Sequence, residues 1–295
     1  MLASVEEAIE RRSAKNTVAS LATAFVPMTE TVVAKGKVYL VGAGPGDPGL
    51  LTVEAARLLR IADVVFHDDL VSPAILALIP DQVHVENVGK RCGHARVGQQ
   101  QIHSLMINAA REGWTVVRLK AGDPLVFGRA GEEIEALRGA GIECLIVPGI
   151  TAAFGAAARA GIPLTDRRLA SKLVFFSNHQ AAEKSAIGRA GTISQDTTAL
   201  IYMPGSEYEE LAARLRQQGF DPETPCLMVS QATTAQQQVH LASVASLAAA
   251  PPFAAPVVVI VGAVAASYLA GPTGFTKVSQ DSRPDLHLEF AGLRS

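Results

Sequence analysis

The chain has 295 residues, 48% of them hydrophobic, so it can bury one large core or two ordinary ones, and we favour two domains. Its formal net charge of -2 excludes a global field that would attract nucleic acid or an anionic membrane. The odd number of widely spaced cysteines, the absence of a signal-peptide pattern and the lack of a ~20-residue apolar run favour a cytoplasmic protein.

Strands and helices alternate in the first half of the chain. After an extension at residues 1–35, whose purpose the pattern does not show, strands are predicted at 37–41, 64–66, 83–85, 115–119 and 143–147. Helices are predicted between them at 50–61, 74–78, 101–111 and 130–137, with another at 153–160. This order predicts an α/β domain over residues 36–160 with a mainly parallel sheet.

The second half has fewer predicted helices. Strands are expected near 172–176, 199–203, 226–230, 237–241 and 257–261, with a helix at 208–218. Short links between consecutive strands predict a mixed, partly antiparallel sheet in a second domain over residues 161–270. The polar composition of residues 271–295 is typical of a loose tail.

The segment from Val116 to Glu133, VVRLKAGDPLVFGRAGEE, is the most informative part of the chain. A β-branched run ends in charged residues, Gly122 and Pro124 stop it, and helix formers follow. In open α/β sheets, ligands bind beyond the carboxyl ends of the strands. We therefore expect three polar side chains to lie at a binding loop: Asp123, Arg129 and Glu132.

The glycine-rich segment GAGPGD, residues 42–47, supports two interpretations. It follows a predicted strand, and Asp68 ends the next strand about where a ribose-binding carboxylate would lie, which imitates a dinucleotide fingerprint. Pro45 and Pro48 oppose this, because a pyrophosphate cradle presents backbone N–H groups and proline has none. Because of the fingerprint, an NAD-dependent oxidoreductase nevertheless remains the main rival hypothesis.

Local charge suggests an anionic ligand, and the spacing of cysteine and histidine residues predicts no metal. Seven basic and two acidic residues between Val88 and Gly131 give a local excess of +5, with several of the cations at predicted strand ends. Cys92 and His94 resemble half of a metal site, but no second pair follows at zinc spacing, so we predict no metal.

Five motifs together carry a resemblance to a known family. VGAGPGDPGLLT, VGKRCGH, RLKAGDPLVFGRAGEE, VPGITAA and AGIPLTDR, in this order, resemble the uroporphyrinogen-III C-methyltransferases of the tetrapyrrole methylase family, from about Gly36 to Ala266. The resemblance implies a homodimer of two α/β domains with an active-site cleft between them. It also implies S-adenosylmethionine as cofactor, S-adenosylhomocysteine as product and methylation of uroporphyrinogen III at C2 and C7, giving precorrin-2 through precorrin-1.

The resemblance also assigns individual residues. The implied cofactor site comprises Pro45, Ala121, Gly122, Asp123, Val126, Thr151, Ala152, Met203 and Ala232. The implied catalytic and substrate residues are Asp68, as proton acceptor, Lys90, as proton donor, and Arg129, Glu132 and Arg167. Because arginine is a poor base, we expect Arg129 to clamp a substrate carboxylate and Asp68 to accept the proton. Glu132 is expected to orient Arg129 or to complement the helix dipole.

Several positions depart from the family pattern. Asp69 stands where an arginine is common and sets two carboxylates side by side, Ala121 replaces a glycine, and Pro204 interrupts the segment after the predicted strand at 199–203. A methylase acting on another acceptor and a regulatory protein without activity remain alternatives. The downstream pathway, siroheme, cobalamin or haem d1, stays open.

Overall fold

A computed structural model describes residues 36–89, 98–178 and 193–269, and two five-stranded sheets organise them. The first sheet has the order β3-β2-β4-β1-β5, and all its neighbouring strands are parallel. Its strands are β1 (Lys37–Gly42), β2 (Val64–His67), β3 (His84–Asn87), β4 (Val116–Lys120) and β5 (Glu143–Val147). The predicted parallel sheet is confirmed.

Helices cover both faces of this sheet. On one face α1 (Val53–Ile61) and the short α2 (Pro73–Leu76) contribute to a core with inward residues of β2 and β4. On the other face α3 (Gln99–Arg111) and α4 (Ala130–Gly139) contribute to a second core. Because both faces are covered at the centre of the sheet, all residues of β2 and β4 are buried, which explains the apolar runs in these two strands.

The second sheet is mixed, as predicted. Its order is β6-β7-β10-β8-β9, in which β6 and β7 are parallel and the remaining pairs are antiparallel. The strands are β6 (Lys172–Ser177), β7 (Thr197–Tyr202), β8 (Pro225–Ser230), β9 (Gln238–Ser243) and β10 (Val257–Val261), with α6 (Tyr208–Gln217) on one face. The described ranges also contain three 3₁₀ helices, Pro48–Leu50, Leu247–Ala249 and Ala263–Leu269.

The helix α5 (Ala152–Ala160) follows the first sheet in the chain but packs against the second. Ala153, Ala156 and Ala157 are buried in one core with Leu200 and Val258 of the second sheet. Small side chains on this face let the helix approach the strands closely. The helix thus belongs by sequence to the first half and by packing to the second, and the domain boundary at residues 160 and 161 stays a prediction.

Within the described ranges, no helix is long and apolar enough to cross a membrane. The predicted extension and tail, residues 1–35 and 271–295, lie outside the described residues, as do Lys90, Cys92 and His94.

Candidate functional site

Three loops meet at the carboxyl edge of the first sheet, after the neighbouring strands β4, β1 and β5. Gly122 and Gly44 exchange two backbone hydrogen bonds, 2.8 and 3.1 Å long. A Cβ on Gly149 would lie 2.2 Å from the Gly122 carbonyl oxygen and 2.8 Å from Gly42 Cα, so only glycine fits there. Gly122 also has φ +69°, a left-handed conformation that favours glycine. These glycines let the three loops form one continuous backbone surface.

Asp123 holds two of these loops in place. Its Oδ1 accepts a hydrogen bond from Leu125 N at 2.8 Å, and its Oδ2 accepts one from Gly149 N at 3.0 Å. The backbone N–H of Val126 in turn donates to the Asp123 carbonyl at 3.2 Å, closing a tight turn. The carboxylate therefore joins the loop after β4 to the loop after β5, and its side chain remains partly exposed.

Thr151 connects this edge to the second sheet. Its Oγ1 lies 2.6 Å from the Tyr202 hydroxyl, which also accepts a hydrogen bond from Ala153 N at 3.2 Å. Burial, with a smaller contribution from the negative charge of Asp123, raises the pKa of Tyr202. Tyr202 stays a neutral donor and acceptor at physiological pH, and it ties the start of α5 to the end of β7.

Two aromatic rings lie next to the ring of Tyr202. The Phe127 ring lies 5.1 Å from it, centroid to centroid, and the Phe175 ring stacks on it at 6.2 Å. Phe127 comes from the loop after β4 and has φ +53°, which is strained for a bulky residue. Phe127 nevertheless keeps 42% of its surface exposed, so it forms an accessible apolar wall.

The loop after β1 is anchored to the second half of the chain. Asp47 is 3% exposed, forms an ion pair with Arg159 of α5, and its backbone N–H donates to Thr233 Oγ1 at 3.1 Å. Pro45 in the same loop packs against Gly155, where a Cβ would lie 2.6 Å from its ring. These contacts place Pro45 between the two sheets.

The remaining residues of the implied cofactor site lie around the same loops. Ala232 is buried, and its carbonyl oxygen would lie 3.5 Å from a Cβ on Gly46. Ala152 N would lie 3.6 Å from a Cβ on Gly122, and Val126 packs against the core that contains Tyr202. Met203 follows Tyr202 with φ +51°, and 46% of its surface is exposed. Ala121 is half-buried and directly precedes Gly122.

A buried ionic cluster lies beneath Asp68. Arg118 donates from Nε to Glu133 at 3.0 Å and from Nη2 to Asp68, while Lys120 Nζ lies 3.0 Å from Glu133 Oε2 and 4.0 Å from Asp68 Oδ2. Arg118, Lys120 and Glu133 are 2%, 4% and 0% exposed. Burial, followed by the charge of Arg118, lowers the pKa of Lys120.

This cluster corrects the expectation that the cations at the strand ends face a polyanionic substrate. Arg118 and Lys120 are covered, and they neutralise Glu133 and Asp68 instead. The neighbouring carboxylates of Asp68 and Asp69 also turn to different partners, because Asp69 accepts a hydrogen bond from Asn87 Nδ2 at 2.7 Å. Asp68 is the partly exposed member of the cluster, with 31% of its side chain accessible.

The structure pairs Arg129 with Glu132 at the start of α4. The guanidinium donates from Nε and Nη2 to the two carboxylate oxygens, at 2.9 and 2.6 Å. This bidentate contact raises the pKa of Arg129 and lowers that of Glu132. Glu132 thus contacts Arg129 and lies in the first helical turn, and its two predicted roles stay predictions. Arg167 is exposed, and Lys90 lies outside the described residues.

Sequence reasoning did not single out Tyr202, Phe127 or Glu133. One signal for Glu133 was available, because Arg118 and Lys120 alternate along a strand that must be buried on both faces. Buried cations require anionic partners, so a carboxylate in the helix that follows β4 is expected. Tyr202 carried no comparable signal.

In the described part of the chain, no three His, Cys, Asp or Glu side chains are arranged to hold a metal ion.

The geometry defines a class of protein with two packed α/β units and a surface built from strand-end loops. Comparisons with known proteins identify this class. A model of the family "Tetrapyrrole (Corrin/Porphyrin) Methylases" matches residues 37–248. A uroporphyrinogen-III C-methyltransferase of Paracoccus denitrificans is 48% identical over 235 residues, which cover 78% of this chain and 82% of that protein.

Two further relatives bear on size and cofactor. A siroheme synthase of Nitrosococcus oceani is 42% identical over 253 residues, and the chain spans 53% of its length. The crystal structure of uroporphyrin-III C-methyltransferase from Thermus thermophilus with S-adenosyl homocysteine has a TM-score of 0.64 and 36% identity, covering 78% of this chain and 98% of that one.

The chain belongs to the tetrapyrrole methylase family. It is therefore an S-adenosylmethionine-dependent methyltransferase of tetrapyrrole biosynthesis.

Proposed function

We propose that this enzyme methylates uroporphyrinogen III at C2 and C7, forming precorrin-2 by way of precorrin-1. The identity to the Paracoccus denitrificans enzyme over most of both chains supports this acceptor. The observation that carries the proposal is the joining of three strand-end loops by Asp123, Gly122 and Gly149, with Thr151 and Tyr202 closing one side. The product is a precursor of siroheme, cobalamin or haem d1.

The proposed cofactor surface suits an adenosyl sulfonium ligand. Small side chains at positions 121, 122, 149 and 152 leave room for a nucleoside to approach the backbone closely. Met203 and Phe127 offer exposed apolar surface near the Asp123 loop, and a thioether or ring face is compatible with a sulfonium cation. Pro45, Val126 and Ala232 complete the wall of the proposed site.

The acceptor is a polyanion with acetate and propionate groups, so it needs cations that remain at the surface. Arg129 and Arg167 are exposed and suit this role, although Arg129 must exchange Glu132 for a substrate carboxylate. Lys90, carried over from the family, is the proposed proton donor. We further infer a cytoplasmic homodimer from the family resemblance, with the cleft between the two domains as the active site.

S-adenosylmethionine supplies an electrophilic methyl group for in-line displacement by the electron-rich pyrrole carbon. The protein then has two tasks, which are to hold the macrocycle against the donor and to receive the proton that leaves it. Asp68 is a partly exposed carboxylate whose ion pair with Arg118 fixes it at the edge of the sheet. Asp68 is therefore the proposed proton acceptor.

The test is anaerobic incubation of the protein with uroporphyrinogen III and S-adenosylmethionine, followed by oxidation and absorbance and mass analysis of the product. We expect a dimethylated product and release of S-adenosylhomocysteine, with a monomethylated species at early times. Parallel reactions contain a different tetrapyrrole in place of the acceptor, or NAD in place of S-adenosylmethionine. Methylation of the other acceptor alone, or binding of NAD without use of S-adenosylmethionine, would overturn the proposal.

A further inference from the structure

Glu133 is the most deeply buried charged side chain among the described residues, with 0% exposure, and the reaction as proposed above does not use it. It lies on the inner face of α4, and its carboxylate contacts both cations of β4. Gln99 of α3 also donates to Glu133 Oε1, at 3.3 Å. Burying a carboxylate is costly unless the charge is paired. The contacts of Glu133 with two cations and an amide offset this cost.

The pleat of the sheet explains how Glu133 reaches Asp68. Phe66 of β2 is in register with Arg118 of β4, so Asp68 and Lys120, two residues further along, extend on the same face. On this face the core is apolar at Val116 and becomes ionic toward the carboxyl edge. Glu133 therefore approaches the cations from the helix, while Asp68 approaches them from the neighbouring strand.

Arg118 joins the two carboxylates. Its Nε donates to Glu133 and its Nη2 donates to Asp68, while Nη1 lies 3.4 Å from the carbonyl oxygens of Phe66 and Leu119. The guanidinium is planar and rigid, so fixing one edge fixes the direction of the other. The orientation of the Asp68 carboxylate thus depends on Glu133 through Arg118.

We propose that Glu133 is a positioning residue that, through Arg118 and Lys120, holds the Asp68 carboxylate in the orientation required for proton transfer. The inference rests on the role proposed above for Asp68. Two cations and two carboxylates balance in the cluster, and the three buried members leave Asp68 alone at the surface. Loss of the Glu133 charge leaves two cations competing for Asp68, which draws its carboxylate inward.

The decisive variant is Glu133→Gln, which keeps the shape of the side chain and removes its charge. We expect kcat to fall on the order of 10- to 100-fold, because small displacements of a reacting group have effects of this size. The affinity for S-adenosylhomocysteine, measured by calorimetry, should stay unchanged, since the cofactor loops do not contact Glu133. Glu135→Gln, at a more accessible position on the same helix, is the matched control and should keep the parental kcat.

A rescue variant separates positioning from a purely structural role. Lys120→Met combined with Glu133→Gln removes one cation and one anion, so Arg118 and Asp68 remain balanced. The amide oxygen introduced by Glu133→Gln can still accept a hydrogen bond from Arg118. We expect the double variant to recover most of the lost kcat. Equal kcat in the double and single variants, or a loss in thermal stability alone with unchanged kcat, would overturn the inference.

Asp68→Asn distinguishes the two levels of the argument. If Asp68→Asn retains full turnover, the role proposed for Asp68 fails and the inference about Glu133 falls with it. If Asp68→Asn abolishes turnover while Glu133→Gln keeps the parental kcat, the inference alone is wrong.

Discussion

The Tyr202 hydroxyl lies 2.6 Å from Thr151 Oγ1, and this contact joins the last residue of β7 to the residue that precedes α5. The same hydroxyl accepts the Ala153 N–H, so one phenol satisfies two polar groups of the helix start. Because Thr151 adjoins the Gly122 and Gly149 loops, the position of the proposed cofactor surface depends on a residue of the other sheet.

The first prediction concerns this contact. Tyr202→Phe leaves the Thr151 hydroxyl and the Ala153 N–H without their partner, at about 1–3 kcal/mol for each buried group. We expect the Kd for S-adenosylhomocysteine to rise about tenfold, measured by calorimetry. Tyr208→Phe is the control, because this buried tyrosine belongs to the core of the second sheet. An unchanged Kd in Tyr202→Phe would separate the contact from the cofactor surface.

A second prediction uses the glycines of the strand-end loops. In Gly149→Ala the new Cβ meets the Gly122 carbonyl oxygen at 2.2 Å, so the loops must separate, at about 1–3 kcal/mol or more. Gly139→Ala lies in α4 with nothing within 4 Å and should stabilise the protein slightly, because alanine is the better helix former. Denaturant unfolding of both variants checks the contrast. Equal stability of the two proteins would refute the close approach.

The third prediction tests the attachment of the loop after β1. Arg159→Met removes the cation that pairs with the nearly buried Asp47 carboxylate, and such a loss costs on the order of 3–5 kcal/mol. We expect a clear fall in the free energy of unfolding. Arg168→Met breaks the solvent-exposed pair with Asp166 and should leave the free energy of unfolding nearly unchanged, because solvent screens this pair. A similar effect of the two substitutions would contradict a special role for Asp47.

The fourth prediction concerns thiol chemistry. Burial raises the pKa of Cys144 to about 11 and that of Cys226 to about 12. Because the thiolate is the reactive form and its fraction falls as the thiol pKa rises above the ambient pH, both thiols should be nearly inert at neutral pH. Alkylation of the native protein at pH 7, read by peptide mass analysis, should leave both unlabelled, whereas unfolding in urea should expose them. Rapid labelling of Cys226 in the folded protein would show that its core opens.

The elements were largely predictable from the sequence, and the reason is their burial. Strands such as β10, predicted at 257–261 and found at Val257–Val261, are short apolar runs that are buried along their whole length. Helix starts were less accurate, and α1 begins at Val53 because Thr52 caps it by accepting a hydrogen bond from Ala55 N. The site residues came from motif resemblance, and their roles stay predictions.

The amino-acid sequence by itself determined the order of strands and helices, the parallel and mixed character of the two sheets, and the family, because periodicity and motifs are local properties. Only the tertiary structure decided that Arg118 and Lys120 are inward partners of Glu133 and that Tyr202 bonds to Thr151. Such pairings join residues on different elements, and which charge meets which depends on how those elements pack.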